Sequence, residues 1–228
     1  MRLILPLVCL IASFAITPAL RGVQVTSPSS QSIGQATYPH VPAYLEALTC
    51  SDPEQQSDCK TYFAGFAQTI GLILMTDPST KVSGMGVCGD ITDLVHEFIQ
   101  EVRNNPKAQK EDTHAFLFGI LVRDHNCAKI KEPIQNQLSA GQLIDMCHAG
   151  DIGFSVCSQY QAGFLGALLF VSEQTGTPIL CGDQRLISPL TVAQVLNERL
   201  EADYHLRRDP AVTVMLNEMK AKMPCVRR

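Results

Sequence analysis

One octapeptide pattern, C-x-x-Y-x-A-G-F, occurs twice in this chain and limits its folds more than any other feature. Cys59 to Phe66 carries the first copy, and Cys157 to Phe164 carries the second, 98 positions later. Cys127 and Cys225 are separated by the same interval, so the match belongs to a whole repeated unit. A length of 228 residues allows one large domain or two small ones. The repeat favours two copies of one small cysteine-stapled domain.

Apolar residues make up 46% of the chain and charged ones 18%, enough apolar material for packed cores and too few charges for a disordered chain. The net charge is only -4 and the basic residues are scattered. That excludes the basic stripe a nucleic-acid binder needs, and nothing favours an anionic membrane surface.

The N-terminus reads as an export signal over residues 1–19. Arg2 supplies the positive start, Leu3 to Ile16 the apolar core, and Thr17-Pro18-Ala19 the small residues suited to cleavage. The core is short for an uncleaved span of about 20 residues, and no other segment reads as a membrane span, so no stable insertion is expected after cleavage. Of nine cysteines, Cys9 leaves with the signal and eight remain. An even set in an exported chain points to disulfides and to a periplasmic or secreted protein. Residues 20–40, rich in Ser, Gln, Thr and Pro, read as a flexible, disordered lead.

The fold class expected is all-α: two tandem small disulfide-stapled helical domains of about four helices each. The first repeat runs over 41–127. Pro42 starts a short helix with Tyr44, Leu45 and Leu48 as its apolar residues, ending near Cys50. A second helix from about Cys59 carries Tyr62, Phe66, Ile70 and Ile73 on one face. A third, capped by Asp90, carries Ile91, Leu94, Val95, Phe98, Ile99 and Val102 and stops at Asn104-Asn105-Pro106. The run Ala115 to Val122 suits a helix over 113–124 but also a strand. Residues 128–137 form a linker. The second repeat, 138–228, follows the same plan. Ser139 with Gln142 forms a capping box before Leu143 and Met146. Tyr160, Phe164, Ala167, Leu168 and Val171 form the next face. Thr191 with Gln194 forms another capping box, before Val192, Val195, Leu196 and Leu200. Asp209 caps the last helix, with Pro210 at its first position.

Both copies keep a tyrosine one turn before a phenylalanine and a glycine inside the helix, where glycine costs about 0.5–1 kcal/mol relative to alanine. A cost kept twice implies close backbone approach by a neighbouring helix. The four cysteines of each repeat allow three pairings. An up-and-down order of helices suggests one of these: Cys50 with Cys59, Cys88 with Cys127, Cys147 with Cys157, and Cys181 with Cys225.

Other motifs carry little chemistry. Gly84 to Gly89 matches G-x-G-x-x-G without the strand and βαβ unit of a dinucleotide site. Gly153 to Cys157 resembles a nucleophile elbow but lacks its closing glycine. Cys147, His148 and Asp151 fit no zinc spacing. His96, His114 and His125 read as packed or solvent-facing side chains, and no convergent pair of carboxylates stands out for acid–base work. No catalytic residue, metal or cofactor is expected.

The second repeat resembles the Rap/Tai-type immunity proteins of type VI secretion. The carriers are Cys147 and Cys157, Tyr160 with Ala162 and Gly163, Cys181, Thr191 with Gln194, Asp209 with Pro210 and Ala211, and the closing Pro224-Cys225. The first repeat is a degenerate copy with Cys50, Cys59, Tyr62, Gly65, Cys88 and Cys127, and Asn126 stands where the pattern has proline. The resemblance implies a small periplasmic helical protein that binds a peptidoglycan amidase toxin and occludes its active site. It also implies a tandem standing in for a homodimer. The long loop from Thr76 to Val87, with Asp77, Lys81 and Met85, is the expected partner-binding segment. A periplasmic acid-stress chaperone and a non-catalytic envelope interaction module are the alternatives.

Overall fold

The computed structural model describes residues 40–76, 87–127, 137–181 and 187–225. The expected signal, the lead before His40 and linker residues 128–136 fall outside these stretches. Eight α-helices are described: α1 (Ala43–Ser51), α2 (Gln56–Thr76), α3 (Ile91–Asn104), α4 (Thr113–Asp124), α5 (Ala140–Cys147), α6 (Gly150–Thr175), α7 (Pro189–Ala202) and α8 (Ala211–Lys222). Short 3-10 turns precede α4 and α8. Among the described residues there is no strand, and the apolar run after Thr113 is helical because Asp112 caps it, accepting from the His114 and Ala115 amides.

Each repeat is tied at both ends. Cys50–Cys59 and Cys147–Cys157 staple the first helix of each repeat to the second, and Cys88–Cys127 and Cys181–Cys225 join the approach to the third helix to the end of the fourth. These are the pairs that the up-and-down order suggests. At the other end, the first amides of the first and fourth helices find carbonyls in each other's lead-in segments, since no helical partner exists for them. Ala43 N–H donates to the Glu111 carbonyl (2.9 Å) and Thr113 N–H to that of Val41 (2.8 Å). In the second repeat Ala140 N–H donates to Asp209 (2.8 Å) and Ala211 N–H to Leu138 (2.9 Å).

α2 and α6 are buried nearly all round, as a helix packed on several sides must be. α2 buries Phe63, Phe66, Ala67, Ile70 and Leu74 together with Gln68 and Thr69, a wider face than the single stripe Tyr62, Phe66, Ile70 and Ile73 predicts. By length and composition α6 is also apolar enough to cross a membrane, contrary to the sequence reading. In the fold 61% of its apolar window is buried, against α2, α5 and α7.

The two central helices lie against each other. Ser155 Oγ donates to Asp58 Oδ2 (3.0 Å) near their N-terminal ends, and the Phe66 and Phe170 rings meet farther along, so α2 and α6 run in the same direction. Between these points a Cβ on Gly65 would sit 2.0 Å from the Tyr160 carbonyl oxygen, and a Cβ on Gly163 would sit 2.0 Å from that of Tyr62. Only glycine permits this approach, which accounts for its presence in both copies. The apolar core is continuous across the contact, and the described residues of both repeats fall in one compact unit. The repeat boundary is therefore one of sequence rather than of packing.

Three local expectations change. α1 turns Ala43, Ala47 and Cys50 inward and leaves Tyr44, Leu45 and Leu48 exposed. The cap of α7 is Ser188 with Pro189 behind it, so Thr191 sits inside the first turn and its amide donates to Ser188 Oγ. α8 begins after Pro210, which is its cap residue, and the Asp209 carbonyl serves Ala140 instead.

Gly65→Ala and Gly163→Ala should each destabilise the protein by about 1–3 kcal/mol or more through overpacking. Gly119→Ala in α4, where a Cβ would meet nothing within 4 Å, should stabilise it by about 0.5–1 kcal/mol. Urea denaturation of the three variants checks both signs.

Candidate functional site

Where α1 turns back along α2, the Cys50–Cys59 staple brings two carboxyl groups to one place. Glu46 lies one helical turn before Cys50 and Asp58 directly precedes Cys59. Both line a cleft of about 230 Å³ at the seam of the two repeats. Thr49, Gln55 and Tyr62 form part of its wall, Val41, Thr113 and His114 another, and Gln159 reaches it from α6. The sequence shows no convergent carboxylates because Glu46 and Asp58 belong to different helices. The signal that could have found them is the disulfide, which folds one helix onto the other.

His114 forms the back of the cleft and is 3% exposed. Its ring stacks on Phe66 with centroids 5.4 Å apart. Its Nδ1 lies 3.5 Å from Asp112 Oδ1, and its Nε2 is 2.5 Å from the Tyr62 hydroxyl. With the Nδ1 proton toward the Asp112 carboxylate, Nε2 accepts from the Tyr62 O–H. His40 Nδ1 contacts the second Asp112 oxygen at 3.2 Å. Burial lowers the His114 pKa below the ordinary histidine value, opposed in part by Asp112. Burial also raises the Glu46 carboxyl above its usual range.

The equivalent tyrosine finds its partner differently. Tyr160 is fully buried, and its hydroxyl donates to Gln68 Oε1 of α2; burial holds its pKa well above the ordinary value. By the 98-residue offset, the counterpart of His114 is Val212 and that of Gln68 is Gly166. A Cβ on Gly166 would stand 2.9 Å from His114 Nε2. So Tyr62 is served from its own repeat and Tyr160 from the other one.

The remaining sequence candidates separate. Asp77, Lys81 and Met85 lie outside the described residues; the segment that holds them starts after the end of α2 and is followed by the Val87–Asn126 bridge and the Cys88–Cys127 disulfide. Cys147 is bonded to Cys157 and is no thiolate ligand, while His148 and Asp151 are exposed. Gly153 to Cys157 lies within α6 and forms no elbow. His96 is exposed. His125 is buried, with Nε2 3.0 Å from Glu97 Oε2. Glu97, Glu101 and Asp124 converge close enough to suit a cation, but all three carboxylates pair with the Arg123 guanidinium.

Comparison with protein-family models, with curated proteins and with solved structures finds no match for this chain. The four disulfides mark an oxidising, non-cytoplasmic compartment.

The pKa shifts set the sign of two pH effects. His114 binds a proton less readily folded than unfolded, so its contribution is complete above about pH 6.5 and is lost as the pH falls below that value through the lowered folded pKa. Glu46 binds a proton more readily folded, so its contribution is present at acid pH and lost as the pH rises through its elevated pKa. Thermal melts from pH 7.5 to 5.5 should show a falling Tm in the wild type and a flatter profile in His114→Gln. Equal slopes would show that His114 is not the buried neutral group.

Proposed function

We propose that this chain is a non-catalytic periplasmic immunity protein that binds a peptidoglycan-degrading amidase toxin and occludes its active site. The observation that carries the reading is the reciprocity of the α2–α6 contact. Gly65 meets Tyr160 and Gly163 meets Tyr62, the pattern of an isologous interface in which each partner offers the same patch. A dimer of identical halves would make this contact. The tandem joins such halves in one chain, in agreement with the cysteine and tyrosine pattern shared with Rap/Tai-type proteins. A disulfide-pinned bundle also suits inhibition, because a rigid surface loses little freedom on entering a cleft. Occlusion requires no reacting group, and His114 and Tyr62 are spent on each other within the seam.

The acid-stress chaperone is a second reading with one observation in its favour. A histidine 3% exposed at the seam resists protonation, so strong acid would loosen the packing around it.

Co-expression in a bacterial periplasm with a peptidoglycan amidase toxin from a neighbouring gene tests the proposal. Restored growth and a sub-micromolar complex are expected, in the usual range of roughly 10⁻⁷ to 10⁻¹⁰ M for protein recognition of standard size. Absence of both protection and binding overturns it. Apolar dye binding that rises only below about pH 4, together with suppressed aggregation of a client protein, would establish the chaperone instead.

A further inference from the structure

The Glu46 carboxyl is placed in an unusual way. It is half-buried against the Cys50–Cys59 staple, and its Oε1 lies 3.8 Å from Cys50 Sγ, which as half of a disulfide has no proton to donate. Among the described residues no backbone or side-chain donor serves this carboxylate. A half-buried carboxyl group without a donor is costly when ionised. It lines an open cleft, and no Lys or Arg is among the described residues that line it.

The other walls complete a chemistry. Asp58 adds a second carboxylate, held by the Ser155 hydroxyl at 3.0 Å. Gln55 and Gln159 add side-chain carbonyls. Val41, Thr49 and Thr113 line it as well, and their side chains carry methyl groups. Acceptors together with aliphatic surface are what a charged group at the end of a methylene chain requires. The cleft, about 230 Å³, has room for such a chain.

We propose that the seam cleft is a binding site for an organic cation, an ammonium or guanidinium group carried on an alkyl chain, with Glu46 as its principal counter-charge and Asp58 as its second. The cation supplies the donor that Glu46 lacks, and the cleft walls take the methylenes. Two sources offer this chemistry, a Lys or Arg side chain of a protein partner and a free alkylamine. The first of them rests on the immunity reading, while the site itself does not.

The test uses the full chain, purified from the periplasm with its disulfides intact and labelled at valine and threonine methyl groups. Titration with cadaverine should shift the Val41, Thr49 and Thr113 methyl resonances saturably, and 1-pentanol at the same concentrations should not. Glu46→Gln should raise the cadaverine Kd by about tenfold or more, the loss expected for a hydrogen-bonded charge pair. Asp93→Asn, on an exposed part of α3, should leave it unchanged. An unchanged methyl spectrum in free Glu46→Gln verifies that its fold is intact. No saturable shift, or equal affinity in wild type and Glu46→Gln, overturns the site. Because the titration needs no toxin, a failed co-expression rescue would sink the immunity reading and leave the site standing. If rescue succeeds, its loss in Glu46→Gln assigns the cation to a side chain of the partner, and its retention assigns it to a free amine.

Discussion

The contact between Gly65 and the Tyr160 carbonyl, mirrored by Gly163 and the Tyr62 carbonyl, is the constraint on which the rest of the structure depends. Two helix backbones can come this near only where neither carries a Cβ, and once they do, each helix is covered along its length by the other. The remaining helices then shield the outer faces, α1 and α3 in one repeat and α5 and α7 in the other, while α4 packs on α6 and α8 on α2 across the seam. Cys50–Cys59 and Cys147–Cys157 hold α1 and α5 to the central pair, and Cys88–Cys127 and Cys181–Cys225 join the approach to the third helix of each repeat to the end of its fourth. A fold of short helices gains much from such staples, since α1 and α5 span only 9 and 8 residues and are too short to be stable alone.

Duplication makes symmetric contacts easy and asymmetric ones informative. The two tyrosines face the same requirement, a hydrogen-bond partner for a hydroxyl in the seam, and meet it by different means. His114 serves Tyr62 where Gly166 leaves room, and Gln68 serves Tyr160 where Val212 has no polar atom to offer. Each solution needs a compensating residue in the opposite repeat. The copies have thus diverged together, and the cleft holding Glu46 and Asp58 belongs to the first repeat and its contact with Gln159.

Much of the helical layout was legible in the sequence because the signals were local. Asp90 caps α3 and accepts from the Thr92 amide, and Ser139 with Gln142 forms a complete capping box. The stripe of α3 is buried as its periodicity requires. Close packing at Gly65 and Gly163 was legible because both copies keep glycine in mid-helix, although the repeat did not show that each glycine packs against the other copy. The inward face of α1 was not legible: its small residues Ala43 and Ala47 lie inward while its large ones face solvent, and hydrophobicity alone ranks them the other way. The Ser188 cap is masked in the sequence by Thr191 and Gln194, which form a competing capping pattern nearby. The cleft was hidden for a different reason. Its carboxylates and its histidine come from three helices and converge only through tertiary packing.

Treating the two repeats as one cooperative body yields a direct measurement. Native-state hydrogen exchange can follow the Phe66 amide in α2 and the Phe164 amide in α6 over a series of low denaturant concentrations. If the helices hold each other in place, both amides exchange through one global opening, with the same free energy and the same denaturant slope. Different opening free energies with different slopes would mean that the repeats unfold separately, and would contradict the account.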